Sequence, residues 1–217
     1  MRRMTDRQIA IAVAGLVLVI FGSIFVYQGL TNEDPSAASV RAAVVRSDSH
    51  RLGTPGDGKV TLVEFLDFEC ESCGAAYPFV EQLREKYKGR VTFVARYFPI
   101  PSHRNAENAA HAVEAAARQD KFEQMYRRMF ETQPEWGEQQ DTKAPLFRSY
   151  AEELGLDMDQ YDEDVTSESV DRRVQKDVAD GKTVGVSGTP TFFLNGKKLD
   201  VTSAEEFIAA IDEALAA

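Results

Sequence analysis

The sequence has few cysteines and no excess of basic residues. Its 217 residues contain two cysteines, Cys70 and Cys73, so no disulfide framework can link distant parts of the chain. Lys and Arg total 25 against 35 Asp and Glu, which gives a formal net charge of −10. Because a nucleic-acid-binding surface needs a basic footprint, nucleic acid is not an expected partner. The 43% of hydrophobic residues are enough to form a core, which excludes general disorder.

An uncharged apolar run occupies residues 9–30. As a helix rising about 1.5 Å per residue, this run is about 33 Å long, which is enough to cross a hydrocarbon core about 30 Å thick. A cleavable signal peptide is the alternative, but its apolar region is usually about 7 to 15 residues long and is followed closely by a small-residue cleavage site. The run therefore predicts one transmembrane helix.

The charges on the two sides of the run predict its orientation. Basic residues precede it and acidic residues follow it: Arg2, Arg3 and Arg7 on one side, Glu33 and Asp34 on the other. By the positive-inside rule, residues 1–8 form a cytoplasmic tail and the rest of the chain is extracytoplasmic. We therefore predict a single-pass protein of the cell membrane. Residues 31–57, rich in Ser, Asp, Gly and Pro, predict a linker with room for one short edge strand.

The remaining chain, residues 58–217, has the pattern of one α/β domain. Apolar runs at 60–68 and 91–98 predict two strands, and the amphipathic stretch 70–87 predicts a helix between them. A crossover of this length indicates a parallel pair with a right-handed connection. Residues 102–181 predict an all-helical insertion.

The end of the chain predicts a hairpin and a last helix. Residues 191–194 and 198–201 flank an Asn195-Gly196 turn, the usual signal for a hairpin. Ser203 and Glu206 then form a capping box for a helix that runs to the C-terminus.

The two cysteines lie where the strand gives way to the helix. At a helix start the first backbone N–H groups lack partners and the dipole is positive, so a thiolate at Cys70 is favoured. Cys73 follows almost one turn later on the same face, where it is drawn toward burial. We therefore expect an exposed, ionised Cys70 and a shielded Cys73.

Two structural alternatives explain the pair less well. A zinc site needs about four ligands, and the three histidines have no ligand-like spacing. A structural disulfide between positions i and i+3 closes a tiny loop and stabilises little. In an extracytoplasmic domain, a redox pair that exchanges disulfides is the better interpretation. No metal ion or other cofactor is expected.

Four separated segments occur in the order of a known family: VEFLDFECESC, ARYFPI, the helical insertion and VSGTPTFFLNGK. Over about residues 58–217 the chain resembles the DsbA-like branch of the thioredoxin superfamily. The resemblance implies a thioredoxin fold with an all-helical insertion, preceded here by the transmembrane helix. It also implies that Pro190 is a cis-proline beside the redox pair and that the backbone of Thr189 binds an extended substrate.

Glu64, on the first strand, matches the buried acid of that family. A buried carboxyl has a raised pKa, so Glu64 would accept the proton of Cys73 when that thiol reacts. The alternative is that strand alternation turns Glu64 toward water.

The residues between the cysteines depart from the usual pattern. Glu71 replaces a common proline, and Ser72 stands where strongly oxidising members carry histidine. A neighbouring negative charge raises the pKa of a thiolate, and a serine offers a hydrogen bond but no charge. We therefore predict that the pKa of Cys70 is below that of free cysteine but that the protein is a milder oxidant than the histidine-bearing relatives.

The resemblance implies an enzyme that oxidises cysteine pairs of exported proteins through a Cys70–Cys73 disulfide. In similar proteins a quinone-linked membrane partner re-oxidises the enzyme. A reductase or disulfide isomerase at the same site remains an alternative, because the direction depends on the reduction potential. A non-catalytic membrane adaptor with the same fold is a second alternative.

Overall fold

The structure is a computed structural model that describes residues 42–217. The predicted cytoplasmic tail, the transmembrane helix and the first part of the linker lie outside the described residues. Within residues 42–217, no helix combines the length and the apolar character that crossing a bilayer requires.

A five-stranded sheet forms the centre of the fold, with the strand order β1-β3-β2-β4-β5. The strands are β1 (His50–Leu52), β2 (Val60–Leu66), β3 (Val91–Tyr97), β4 (Thr191–Leu194) and β5 (Lys197–Lys198). The β2–β3 pair is parallel, as the sequence predicts, and the other pairs are antiparallel. At the turn between β4 and β5, Asn195 and Gly196 have φ values of 50° and 81°, which match the hairpin turn that an Asn-Gly pair favours.

Helices connect the strands and cover the sheet. Helix α1 (Glu71–Lys86) is the crossover between β2 and β3, and the last helix, α7 (Ala204–Ala216), begins after a Ser203 cap. The insertion between β3 and β4 contains α2 (Ala106–Ala117), α3 (Phe122–Trp136), α4 (Ala144–Glu153), α5 (Met158–Asp164) and α6 (Glu168–Thr183). The sequence predicts this insertion at 102–181, and its helices lie between residues 106 and 183.

The alternation of side chains along β2 divides the core between the two faces of the sheet. Val63 and Phe65 belong to a smaller cluster that packs against Val178 of α6. Leu62 and Leu66 belong to the large cluster shared with α1, α7 and the insertion. Even-numbered positions of β2 therefore face the α1 side of the sheet.

The packed domain begins before residue 58, which corrects the predicted linker boundary. Val44 is fully buried, and β1 pairs with β3 from His50 to Leu52. Arg46 forms an ion pair with the buried Asp177 at 2.7 Å. Val44 and Val45 pack with side chains of the sheet and of α6. At least residues 44–52 therefore belong to the domain.

Candidate functional site

Cys70 is the N-cap residue of α1, with φ −66° and ψ 119°. Its carbonyl accepts the first helical hydrogen bond, from Gly74 N at 3.0 Å, and its own N–H donates to the Asp67 carbonyl at 3.2 Å. The free N–H groups of the first turn therefore surround its side chain. The helix start that the sequence predicts for Cys70 is confirmed.

The two sulfurs differ in access. Both cysteines are free thiols; Cys70 is 9% exposed and Cys73 is 0% exposed. The expectation of a shielded Cys73 is met, but Cys70 is more covered than expected, because the Thr189 carbonyl oxygen lies 3.3 Å from its Sγ. Only a small part of the Cys70 surface is therefore open to a reagent or substrate.

Hydrogen bonding makes the two cysteines electrostatically unequal. A hydrogen bond from the Cys73 thiol, with further ones from the backbone N–H groups of Cys73 and Ser72, lowers the pKa of Cys70 to about 5. Burial is the main reason why the pKa of Cys73 is raised, and its hydrogen bond to Cys70 and the charge of Glu64 add to it. The pair therefore favours a Cys70 thiolate beside a Cys73 thiol.

Glu64 is buried on the α1 side of the sheet and is 5% exposed. This excludes the alternative in which the side chain faces water. Burial, followed by the negative charges of Cys70 and Glu81, raises the pKa of Glu64 to about 8. A carboxyl with this pKa can hold or release a proton near neutral pH.

The loop before β4 completes the site. The Thr189–Pro190 peptide bond is cis, as the family resemblance implies. Pro190 also lines a cavity of about 390 Å³ whose walls are in part apolar and in part polar. The apolar walls come from the residues Phe79, Phe192, Leu199, Val201 and Phe207.

Glu71 and Ser72 are both exposed. Solvent therefore screens the negative charge of Glu71, which weakens its predicted effect on the thiolate. Ser72 contributes to the site through its backbone N–H.

Sequence reasoning missed the polar contacts that hold the loop before Cys70. The buried Asp67 carboxylate lies 2.7 Å from His103 Nδ1 and accepts a hydrogen bond from Ile100 N at 2.9 Å. The buried Glu69 carboxylate accepts one from Asn105 N. The available signal was two acids, Asp67 and Glu69, just after β2. Their partners His103 and Asn105 lie 36 residues further along the chain.

Comparisons with known proteins agree with this arrangement. A family model described as thioredoxin matches residues 46–213. A thioredoxin-like oxidoreductase from Silicibacter pomeroyi is 26% identical, with a TM-score of 0.68 over 82% of this chain and 98% of that one. The structure of alpha-DsbA1 from Wolbachia pipientis is 18% identical, with a TM-score of 0.68 over 82% of this chain and 96% of that one. At that identity, the second likeness shows the fold alone.

The curated relatives are longer proteins. One named Na(+)/H(+) antiporter NhaA 1, from a Mycobacterium species, is 37% identical over 154 residues. The match covers 69% of this chain and 24% of the relative. The chain thus spans about a quarter of the length of the curated relatives it matches.

Proposed function

The chain belongs to the thioredoxin family, and we propose that it is a thiol-disulfide oxidoreductase that oxidises cysteine pairs of exported proteins through Cys70 and Cys73. The observation that carries this proposal is the hydrogen-bonded sulfur of Cys70 at the start of α1, with the buried Cys73 thiol as its partner. Stabilising the Cys70 thiolate stabilises the reduced enzyme, which makes its disulfide a better oxidant.

The reaction starts from the oxidised enzyme. A substrate thiolate attacks Cys70 Sγ, so that a substrate–Cys70 disulfide forms and the Cys70–Cys73 bond breaks. The departing Cys73 sulfur takes up a proton, and the neutral Glu64 carboxyl is the nearby acid that supplies it. A second substrate thiolate then attacks the substrate sulfur, and Cys70 leaves as a thiolate. Two electrons have passed from the substrate to the enzyme.

The low pKa of Cys70 favours this last step, because a thiol of low pKa is the better leaving group. The extended substrate lies along Thr189, whose carbonyl is 3.3 Å from the reacting sulfur. An apolar side chain of the substrate occupies the cavity beside Pro190.

We further propose that residues 9–30 anchor the protein in the cell membrane with the redox domain outside. The support is the uncharged apolar run and the charge difference across it. A quinone-linked membrane protein then re-oxidises the Cys70–Cys73 pair, and the anchor raises the effective concentration of the two partners. Alkaline extraction of membranes and protease treatment of intact cells test the anchor and its orientation.

An exchange assay tests the activity. The full chain, oxidised and purified in detergent, should oxidise a peptide that carries two cysteines, and Cys70→Ser should abolish this. Cys73→Ala retains the reacting sulfur, so with the disulfide form of the peptide its Cys70 thiolate should attack the peptide disulfide, release one peptide thiol and accumulate as a mixed disulfide. An adaptor would keep its cellular role after Cys70→Ser, which would contradict the enzymatic proposal.

The direction of electron flow is tested in cells. Rapid acid quenching followed by alkylation should find the pair mostly oxidised. A mostly reduced pair would overturn the oxidase assignment in favour of a reductase or isomerase, because as little as about 30 mV changes the equilibrium tenfold.

A further inference from the structure

The side chain of Gln133 reaches from the helical insertion to the loop that carries Cys70. Its Nε2 donates to the Phe68 carbonyl at 2.7 Å and to the Cys70 carbonyl at 2.9 Å. Gln133 is 7% exposed. A buried amide with two hydrogen bonds to the backbone around a reactive residue fixes that backbone more firmly than an exposed side chain can.

Gly74 provides the space for this side chain. A Cβ built on Gly74 would lie 1.9 Å from Gln133 Oε1, far inside any allowed contact. Gly74 is in the first turn of α1, and its N–H donates to the same Cys70 carbonyl that Gln133 binds. Gln133 and Gly74 therefore form one contact between α3 and the start of α1.

The direction of the Cys70 carbonyl matters for the sulfur. This carbonyl fixes the peptide plane from which the first turn of α1 begins, and the same turn supplies the N–H groups of Ser72 and Cys73 that stabilise the Cys70 thiolate. A loop free to rotate would aim these groups less well. The amide of Gln133, 63 residues from Cys70 in sequence, restrains that rotation.

We propose that Gln133 is a positioning residue through which the helical insertion holds the Phe68–Cys70 backbone in the geometry that favours a Cys70 thiolate. Gln133 does not touch the reacting atoms and acts only through the backbone. The inference rests on the proposed thiol chemistry of the pair.

Gln133→Met in the full chain is the first test, because methionine has a similar length and no donor. The rate at which iodoacetamide alkylates the reduced protein should depend on pH with a midpoint about one unit higher than in the wild type. The equilibrium constant for oxidation of glutathione by the enzyme should fall about tenfold, which corresponds to about 30 mV. The matched control is Gln139→Met, since the Gln139 side chain donates to the Glu135 carbonyl and accepts from Lys143, both outside the loop. The pH midpoint of alkylation and the equilibrium constant of Gln139→Met should both equal those of the wild type.

Gly74→Ala gives an independent test, because the new methyl group displaces the Gln133 side chain without changing its chemistry. It should shift the midpoint in the same direction as Gln133→Met. On a Gln133→Ala background the space is free, so adding Gly74→Ala should change little. This departure from additivity is the signature of a shared contact.

The possible outcomes separate this inference from the proposed function. If the wild type exchanges disulfides, Cys70→Ser does not, and both Gln133→Met and Gly74→Ala keep the wild-type midpoint and equilibrium constant, then the positioning role is wrong and the function stands. If the wild type has no exchange activity, the proposed function itself fails. Should Gln133→Met fail to fold, Gly74→Ala alone and with Gln133→Ala decides the question.

Discussion

Cys70 and Cys73 have the same chemistry and opposite surroundings. The sulfur of Cys70 accepts hydrogen bonds from the first turn of α1 and from the Cys73 thiol. The sulfur of Cys73 is buried in the core, and the negative charge of Glu64 disfavours its ionised form. A charge is therefore favoured on one sulfur and costly on the other. In the proposed reaction, this difference makes Cys70 the sulfur that exchanges with the substrate and Cys73 the sulfur that takes up a proton when the disulfide opens.

The first prediction concerns the pH dependence of Cys70. Because its pKa is lowered from 9.0 to about 5, alkylation of the reduced protein should be nearly constant from pH 7 to 8 and fall by half near pH 5. The same shift stabilises the reduced fold. The resulting gain in the free energy of unfolding is fully present above the ordinary cysteine pKa and is lost as the pH falls through about 5. Urea unfolding of the reduced and the oxidised protein between pH 5 and 9 measures this contribution. An alkylation midpoint near pH 9 would contradict the proposed thiolate.

The second prediction concerns Glu64→Gln. The pKa of Glu64 is raised from 4.5 to about 8 by burial, so its charged form destabilises the fold. The stability of the wild type relative to the glutamine variant should therefore fall as the pH rises from 4.5 to 8, by about 1.4 kcal/mol per unit of pKa shift. Disulfide exchange at pH 7 should also slow, by about 10²-fold, because the proton donor is lost.

Glu205→Gln is the control for this prediction, since Glu205 is exposed on α7. It should change neither the pH dependence of urea unfolding nor the exchange rate. Equal pH profiles for Glu64→Gln and the wild type would show that Glu64 does not titrate in the folded protein.

The sequence leads to the residues of the proposed chemistry but not to all those that hold them in place. The motif and the four ordered segments are local signals, and they lead to Cys70, Cys73, Glu64, Thr189 and Pro190. Gln133 contacts the Cys70 loop across 63 residues of sequence. A glutamine on an amphipathic helix has no local feature that distinguishes this role from that of a surface residue.

At the scale of elements, a buried ion cluster joins β3 to α6. Arg96 of β3 is fully buried, and its guanidinium contacts Asp177 at 2.9 Å and Asp180 at 2.8 Å. It also donates to the Val44 carbonyl at 2.6 Å. Sequence patterns place the strand and the helix because their apolar spacing is regular. They do not foresee an arginine in a run whose seven residues are all buried, since its partners lie in α6 and in the segment before β1.

The third prediction is that Arg96→Met destabilises the protein strongly. The carboxylate of Asp177 stays buried and keeps Arg46 and Arg173 but loses one charged partner. The Val44 carbonyl also loses its donor, so we expect a loss of about 1 to 3 kcal/mol.

The exposed Arg172, which pairs with Glu168 at 2.8 Å, is the matched control. Arg172→Met should cost less than about 1 kcal/mol. Urea unfolding at pH 7 measures the free energy of unfolding of both variants. A similar loss in Arg96→Met and Arg172→Met would contradict a structural role for the buried cluster.

At the scale of the whole domain, the prediction from composition fails for the segment before β2. Its Ser, Asp, Gly and Pro content predicts a linker, and composition cannot show that a few apolar and charged side chains within it find partners far along the chain. Val44 packs with Phe65, Val94 and Phe193, and Ser49 is also buried. The segment thus adds an edge strand to the sheet and covers one of its faces.

The fourth prediction compares two truncated chains, one beginning at residue 42 and one at residue 58. The longer chain keeps Val44, Arg46 and β1, whereas the shorter one exposes the edge of β3 and removes an ion partner of Asp177. Losing the burial of the Val44 side chain alone removes about 1.5 to 3 kcal/mol of stabilisation, and the lost strand pairing and ion pair add to this. The shorter chain should therefore unfold at clearly lower urea concentration, with less protection of the β3 amides from hydrogen exchange. Equal urea midpoints would mean that the segment only rests on the sheet and that the folded domain does begin near residue 58.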